Sequence, residues 1–324
     1  MKNIYLIALF TFFLFSCGIN MEKSHFAKRV DFRARLEPKG QILSGAGQSP
    51  EAFAHYVDVV GRQNAPSIFM FYIGLHEDPV KWMKEQKKEM EKYEWMLIPQ
   101  IGVSMTRDHG NGYDKDVANG MYDLNIHRMI DLLKEWNMPV FLRIGYEFSG
   151  SWNGYEATSY KQAFIRITKK IREAGLDNVA TVWCYGLDDH NPVDFMSYYP
   201  GDEFVDWWGI DLFRPEEFSN KETISFIEKS LIHSKPLMIG ESTPRNVGVL
   251  NGKDSWNSWF KLYFEILNKY PHFKAFCYIN WDWSRFPQWH DWGDGRLERN
   301  KEVSGLFNKT LRDPIFRHGS SRRN

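Results

Sequence analysis

The sequence predicts a single (β/α)₈ TIM barrel, the closed eight-stranded form of the α/β class. Short apolar runs alternate with longer amphipathic stretches eight times along the chain. No G-x-G-x-x-G follows the first predicted strand, which argues against a dinucleotide-binding open sheet. The 324 residues suit one such domain, since these barrels take about 250 residues plus insertions. The predicted strands are Gln41–Ala46, Ser67–Leu75, Met96–Ser104, Pro139–Phe148, Val179–Gly186, Val205–Phe213, Pro236–Thr243 and Phe273–Trp281.

Amphipathic stretches between the strands predict the outer helices. Ser49 precedes Pro50, which is the usual order of an N-cap and a first helical residue. The fifth connection, Asn191–Pro200, is short and carries the weakest helical pattern. The other helical patterns cover Lys81–Tyr93, Asn125–Trp136, Ser159–Ala174, Lys221–Ser234 and Asp254–Tyr270.

The start of the chain has the pattern of an export signal. Lys2 precedes the apolar run Ile4–Phe15, and the run ends in Ser16-Cys17-Gly18, which resembles a bacterial lipobox. We therefore expect lipidation of Cys17 and anchoring in the bacterial cell envelope; a plain signal peptide with a chance cysteine is the alternative. The expected parts are a signal peptide over 1–17, a tether over 18–38, the barrel domain over 39–316 and a basic tail over 317–324.

Charge and cysteine usage exclude several classes of partner. The 41 basic and 41 acidic residues balance, so a nucleic acid partner is not expected. Cys184 and Cys277 lie inside apolar strand patterns and outside any metal-ligand spacing, which predicts buried thiols. The triplet 188–190, Asp-Asp-His, has metal-binding residue types, but adjacent loop residues point apart. We expect a monomer without metal or cofactor.

Two glutamates follow strands that lie opposite each other in the predicted ring. Glu147 ends the fourth strand and Glu241 the seventh, and the functional residues of barrels lie at these carboxyl ends. Glycoside cleavage needs two facing carboxyl groups, one protonated and one ionised. Arg143 shares the inward face with Glu147 and is expected to favour the ionised form of Glu241. A buried arginine–glutamate pair that only fills the barrel is the alternative.

Four segments, in order, resemble glycoside hydrolase family 26, which belongs to a clan of retaining barrel enzymes. They cover the fourth, sixth, seventh and eighth strands, whereas the first three strands match only by pattern. The segments are Pro139–Trp152, Tyr199–Asp211, Lys235–Glu241 and Lys274–Trp281. The resemblance implies that Glu147 is the acid/base and Glu241 the nucleophile. It also implies that Trp281 floors the subsite of the cleaved sugar and that Trp152 contacts substrate nearby.

Two positions depart from the family 26 mannanases. Tyr146 stands where those enzymes usually carry histidine, and Phe213 stands where they usually carry a tyrosine that donates to the nucleophile. Tyr146, Tyr185 or Tyr278 would have to supply the missing hydroxyl. The substrate therefore stays open between β-mannan, β-1,3-glucan and an algal galactan.

The remaining candidates lie at other strand ends. His76 follows the second strand, where it would bind a sugar hydroxyl or lie on the surface. Asp211 ends the sixth strand, where it would face the mouth or cap a turn. With Arg143 and Tyr146, both are expected to bind substrate. The Trp-rich stretch 281–292 is expected to form a wall of a sugar cleft, since 13 Trp offer rings that suit the apolar faces of sugars.

The expected function is a retaining, endo-acting β-glycanase that cleaves a polysaccharide. The rival is a non-catalytic carbohydrate-binding lipoprotein on a barrel scaffold. The glutamate pair separates the two, because a binding protein has no need of two opposed carboxyl groups.

Overall fold

The computed structural model describes residues 24–319 and confirms the predicted barrel. Eight parallel strands follow one another around the ring in chain order, and the first strand pairs with both the eighth and the second, which closes the barrel. A short ninth strand pairs with the first two residues of the first strand. The strands are β1 Ile42–Gly47, β2 Ile68–Gly74, β3 Ile98–Ser104, β4 Val140–Ile144, β5 Val179–Gly186, β6 Trp207–Leu212, β7 Leu237–Ser242, β8 Phe273–Ile279 and β9 Phe316–Arg317.

Helices cover the outside of the ring, as the amphipathic patterns predict. Ser49 caps the first helix by accepting a hydrogen bond from the Ala52 amide. The fifth connection forms only the 3₁₀ turn Phe195–Tyr198, in agreement with its weak pattern. The helices are α1 Pro50–Val60, α2 Val80–Glu91, α3 Asp114–Ala118, α4 Asp123–Trp136, α5 Ala157–Glu173, α6 Lys221–Ile232, α7 Lys253–Ser255, α8 Lys261–Lys269 and α9 Lys301–Leu311, with a π turn at Trp256–Phe260 between α7 and α8.

Apolar side chains fill two layers. The larger layer lies between the strands and the helices, and the smaller one fills the barrel interior. Part of the tryptophan content belongs to these layers and not to a sugar surface. Trp183, Trp207, Trp208 and Trp259 are completely buried.

The segment before β1, which was expected to be part of a tether over 18–38, packs against the barrel in its described part. Arg29 is buried and donates to the Leu267 carbonyl at 2.6 Å. Trp207, the first residue of β6, donates its indole N–H to the Arg35 carbonyl at 2.6 Å. Leu36 packs against the interior layer, and the segment closes the bottom of the ring. The buried ammonium of Lys274 also forms ion pairs with two carboxylates of this segment.

The chain end is also part of the domain as far as it is described. Ser67 donates to the Arg317 carbonyl at 2.8 Å, and the Gly319 amide donates to the Ala65 carbonyl at 2.8 Å. The described chain therefore continues to pack on the barrel beyond the expected boundary at 316. Cys17 and the rest of the basic tail lie outside the described residues. Within 24–319, no helix combines the length and apolar character needed to cross a bilayer.

Candidate active site

The chain bends sharply after β4 and places Glu147 at the barrel mouth. The sequence predicted a strand as far as Phe148, but β4 ends at Ile144. Gly145 and Glu147 both have left-handed backbone conformations, with φ of 55° and 50°. This bend brings Glu147 against the end of β5, where a Cβ on Gly186 would lie 2.9 Å from the Glu147 Cβ. Only glycine leaves room for the glutamate there.

The loop after the bend holds Glu147 from the other side. Trp152 donates its indole N–H to Glu147 Oε2 at 2.9 Å. The Asn153 side-chain amide donates to the carbonyls of Tyr146 and Glu147, both at 3.0 Å. The loop thus fixes both the backbone and the carboxyl group of this glutamate.

Arg143 links the nucleophile candidate to a second carboxylate. Its Nη1 donates to Glu241 Oε1 at 2.8 Å, and its Nη2 donates to the Asp211 carboxylate and contacts Cys184 Sγ at 3.2 Å. Burial alone would lower the pKa of Arg143, but Asp211, Cys184 and Glu241 raise it well above its usual value. Glu241 therefore accepts from a permanently charged donor, while its Oε2 accepts no hydrogen bond from any residue between 24 and 319.

Two of the residues expected to bind substrate are buried. Arg143 and Asp211 have side chains with no exposed surface. Neither side chain offers an exposed atom to a sugar in the mouth, and the expectation that they bind substrate stays a prediction. Arg143 and Asp211 form an ion pair with each other beneath the mouth.

The two glutamates have opposite electrostatic surroundings. Burial raises the pKa of Glu147 well above its usual value, and the negative charges of Asp211 and Glu241 raise it further. The Trp152 hydrogen bond and Arg143 oppose the shift without cancelling it. Glu241 instead has the Arg143 guanidinium in direct contact. A carboxyl group with a raised pKa and an arginine-paired carboxyl group thus lie at the same mouth, which is the arrangement of an acid and a nucleophile.

Comparison with known proteins identifies the family of the chain. Residues 80–309 match the sequence profile of glycosyl hydrolase family 26. The chain belongs to glycosyl hydrolase family 26. A β-1,3-xylanase (TXYA) of a Vibrio species is 32% identical over 67% of this chain and 52% of its own length. A β-1,3-xylanase of an Alcaligenes species is 32% identical over 68% of this chain and 52% of its own length. The chain thus spans about half the length of these curated relatives.

A solved structure agrees at the level of the fold. The GH26 β-mannanase of Bacteroides ovatus superposes with a TM-score of 0.62 at 19% identity, covering 87% of this chain and 92% of that one. The predicted family and the predicted barrel are both confirmed.

The family 26 site contains two residues that the sequence did not single out. The Tyr72 ring lies 5.3 Å from the Tyr146 ring, which in turn lies 5.0 Å from the Arg143 guanidinium. Gln100 donates to the carbonyl of Gly240, the residue before Glu241, at 2.9 Å. A polar glutamine inside a buried strand was a usable signal, because such a group needs a specific partner. Nothing in the sequence distinguished Tyr72 from a core tyrosine.

Two of the three tyrosines suggested as replacements for the missing family 26 hydroxyl point elsewhere. Tyr278 donates to the Gly295 carbonyl at 2.5 Å. Tyr185 packs against Phe226 on the helix side of the barrel. Tyr146 remains at the mouth. Phe213 packs its ring against Trp292, with centroids 5.2 Å apart.

The rim residues occupy separate positions around the mouth. His76 packs beside Tyr113, whose hydroxyl accepts from the His76 amide at 3.0 Å. Trp281 lies parallel to Phe286, with centroids 6.0 Å apart. The Trp-rich stretch divides between core and surface, since Trp283 is buried and Trp289 is exposed. Within residues 24–319, these side chains make no hydrogen bond or ring contact with the two glutamates, and their contacts with substrate stay predictions.

Hydrogen bonds to Asp188 hold the acidic loop after β5. Asp188 accepts hydrogen bonds from the backbone amides of Ser151, His190 and Asn191. Across residues 24–319, no three His, Cys, Asp or Glu side chains converge as metal ligands. Cys184 and Cys277 are both buried free thiols, as predicted.

Proposed function

We propose that the protein is a retaining, endo-acting β-glycanase. The observation that carries the proposal is the contrast between the two glutamates at the mouth. Glu147 has a raised pKa and accepts a hydrogen bond from a tryptophan N–H, whereas Glu241 accepts one from a buried arginine. A binding protein has no use for this contrast, so the non-catalytic alternative is disfavoured.

In the first step, Glu241 attacks the anomeric carbon through its free Oε2. The bond from that carbon to the leaving oxygen breaks, and the Glu147 proton moves to that oxygen. Arg143 stays on Oε1 and orients the attacking carboxylate throughout. The products of the step are a covalent glycosyl–Glu241 ester and a shortened chain with a free hydroxyl.

In the second step, Glu147 acts as a base. It removes a proton from a water molecule, whose oxygen attacks the anomeric carbon as the ester bond to Glu241 breaks. Two displacements restore the original configuration, and Glu147 is protonated again for the next cycle. The Trp152 hydrogen bond stabilises Glu147 in the ionised form that this step uses.

We propose β-1,3-xylan as the first substrate to test and β-mannan as the second. Two relatives that are 32% identical over 67% and 68% of this chain are described as β-1,3-xylanases. Tyr146 and Phe213 depart from the mannanase pattern at the mouth, which favours another sugar. β-1,3-Glucan and an algal galactan complete the panel. Tyr146, Trp152, Trp281 and His76 are the proposed substrate contacts.

A substrate panel with product analysis tests the proposal. Purified protein is incubated with each polysaccharide, and the products are resolved by length while proton NMR follows the first-formed anomer. We expect a mixture of oligosaccharide lengths from one substrate and a first-formed β anomer. A first-formed α anomer from a β-linked chain would exclude retention, and release of one short product alone would exclude endo action.

The two glutamate roles are tested by rescue with azide. In Glu147→Ala, an activated aryl glycoside should still form the ester, since its phenolate leaves without a proton, and azide should restore turnover as a β-glycosyl azide. Glu241→Ala should lose activity on every substrate. General acid catalysis contributes about 10²–10⁴-fold for a sugar leaving group, which sets the loss expected for Glu147→Ala on polysaccharide. Azide rescue of Glu241→Ala with inverted product would show that the roles are exchanged.

We also propose that the protein is exported and anchored to the cell envelope by lipid on Cys17. The basis is the sequence pattern Lys2, Ile4–Phe15 and Ser16-Cys17-Gly18. Two or more acyl chains would anchor it firmly, whereas a single chain binds membranes only marginally. The wild type should sediment with membranes in a bacterial host, and Cys17→Ala should not. Wild-type protein recovered in the soluble fraction after export would contradict the proposal.

A further inference from the structure

Trp82 has an exposed ring at the mouth end of the barrel. It lies in the first turn of α2, and α2 begins at the rim because it follows the carboxyl end of β2. Its indole N–H donates to the Tyr72 carbonyl at 2.8 Å. The residue is nevertheless 45% exposed, and no other aromatic ring in the described chain packs on it. The polar atom of Trp82 is therefore satisfied inside the protein, while hydrocarbon faces the solvent.

The barrel rim beside Trp82 is formed by a short connection, and we call it the low rim. The connection from β1 to α1 contains only Gln48 and Ser49. The pairing of β1 with β2 stops at Gly47 and Met70, so the Tyr72 carbonyl lies beyond the last shared pair. The last two residues of β1 are alanine and glycine, so no large side chain stands at this part of the rim. We call this stretch of the rim, which lies between the loops of β8 and β2 and carries only this short connection, the lane.

This lane is continuous with the catalytic site. The Tyr72 carbonyl holds the Trp82 indole, and the Tyr72 ring lies 5.3 Å from the ring of Tyr146, the neighbour of Glu147. On the far side of β1, Trp281 and Phe286 lie parallel at the end of β8. Aromatic rings thus line the path on both sides of the low rim.

We propose that Trp82 is a sugar-binding platform for a residue of the substrate chain beyond the cleavage point. A tryptophan face with a satisfied N–H suits the C–H face of a sugar ring, whose hydroxyl groups stay in water. The occupant is the substrate polysaccharide, because the lane opens from the catalytic mouth. This inference rests on the proposed glycanase function and adds that the enzyme needs a long chain for full activity.

Kinetics with substrates of different length test the platform. Trp82→Ala should lower kcat/KM on the polysaccharide roughly tenfold, through KM, because one stacked ring is lost. It should leave an activated aryl monoglycoside unaffected, since that substrate cannot reach Trp82. Trp82→Phe loses the N–H but keeps a ring, and should recover most of the polymer activity. Ile232→Ala, at an exposed apolar position at the other end of the barrel, is the control and should match wild type.

The outcomes separate this inference from the proposed function. Wild-type protein that cleaves none of the polysaccharides would reject the glycanase itself. Wild-type cleavage with an unchanged Trp82→Ala would reject the platform alone. An equal loss on polymer and aryl glycoside would show that Trp82 only supports the fold, which would also reject the platform. Binding of polymer to Glu241→Gln with and without Trp82→Ala, measured by calorimetry, gives a second readout free of turnover.

Discussion

At the scale of single residues, two glutamates differ through their neighbours. Sequence position alone placed Glu147 and Glu241 at opposite strand ends, and it placed Arg143 on the inward face. It did not reveal that Arg143 would donate to both Glu241 and Asp211, because these contacts join side chains that are far apart in the chain. It also did not reveal the Trp152 hydrogen bond, which depends on two left-handed residues after β4.

The Trp152 hydrogen bond predicts a pH effect. The pKa of Glu147 is raised, so the acid stays protonated to higher pH than an ordinary glutamate, and kcat/KM on polysaccharide should fall as pH rises through that pKa. The Trp152 N–H lowers this pKa because it stabilises the ionised form. Trp152→Phe should therefore move the falling limb of the pH profile to higher pH. A limb that stays in place or moves down would contradict this assignment.

The buried ion pair predicts a stability effect. Asp211→Ala leaves the buried Arg143 with Glu241 as its remaining carboxylate partner, and removing one member of a buried pair typically costs about 3–5 kcal/mol. The urea midpoint of Asp211→Ala should fall accordingly. Asp177→Ala, which removes a carboxylate from an exposed surface pair with Arg35, is the control and should change stability little. Equal effects of the two substitutions would show that the Arg143 pair is not stabilising.

At the scale of elements, strand positions were predictable and strand ends were less so. β5 runs over Val179–Gly186, as its apolar pattern predicts. β4 stops at Ile144, four residues before the predicted end, although the pattern continues to Phe148. An apolar pattern reports burial, and the residues of this bend stay buried or half-buried after the strand has ended. The bend depends instead on backbone angles that hydrophobic pattern does not encode.

Gly145 gives a test of the bend. Its φ is 55°, and an added Cβ would lie 2.6 Å from the Met105 methyl carbon and 2.7 Å from the Tyr160 ring. Gly145→Ala should cost about 1–3 kcal/mol, displace Glu147 and lower kcat. Gly305→Ala in α9 is the matched control, since nothing lies within 4 Å of its added Cβ. It should stabilise the protein by about 0.5–1 kcal/mol and leave kcat unchanged. Wild-type stability and kcat in Gly145→Ala would show that the bend tolerates a side chain.

At the scale of the whole molecule, the closed ring of strands was predictable, but the packing of residues 24–38 against its lower end was not. Eight alternating patterns are a repeated signal that survives errors in any one strand. The segment over 24–38 has no periodic pattern, so its contacts were not visible in the sequence. Those contacts are ion pairs and hydrogen bonds with side chains more than 100 positions away, such as Lys274 and Trp207.

Truncation tests whether this segment belongs to the folded domain. Lys274 is completely buried; it binds the Asp31 carboxylate and lies 3.6 Å from that of Glu37. A chain that begins at Ser24 keeps both carboxylates and should unfold at the urea midpoint of the mature protein. A chain that begins at Lys39 loses both and leaves the ammonium unpaired, which should cost about 3–5 kcal/mol.

A substitution at Lys274 separates lost charge pairing from lost packing. In the chain that begins at Lys39, Lys274→Met removes the unpaired buried charge and should recover part of the lost stability. In the chain that begins at Ser24, the same substitution leaves two carboxylates without their partner and should be destabilising. The sign of the effect should thus reverse between the two backgrounds, as expected for residues in direct contact. If Lys274→Met has the same effect in both chains, the segment stabilises the barrel through packing alone, and equal midpoints for the two unsubstituted chains would return residues 24–38 to the role of a tether.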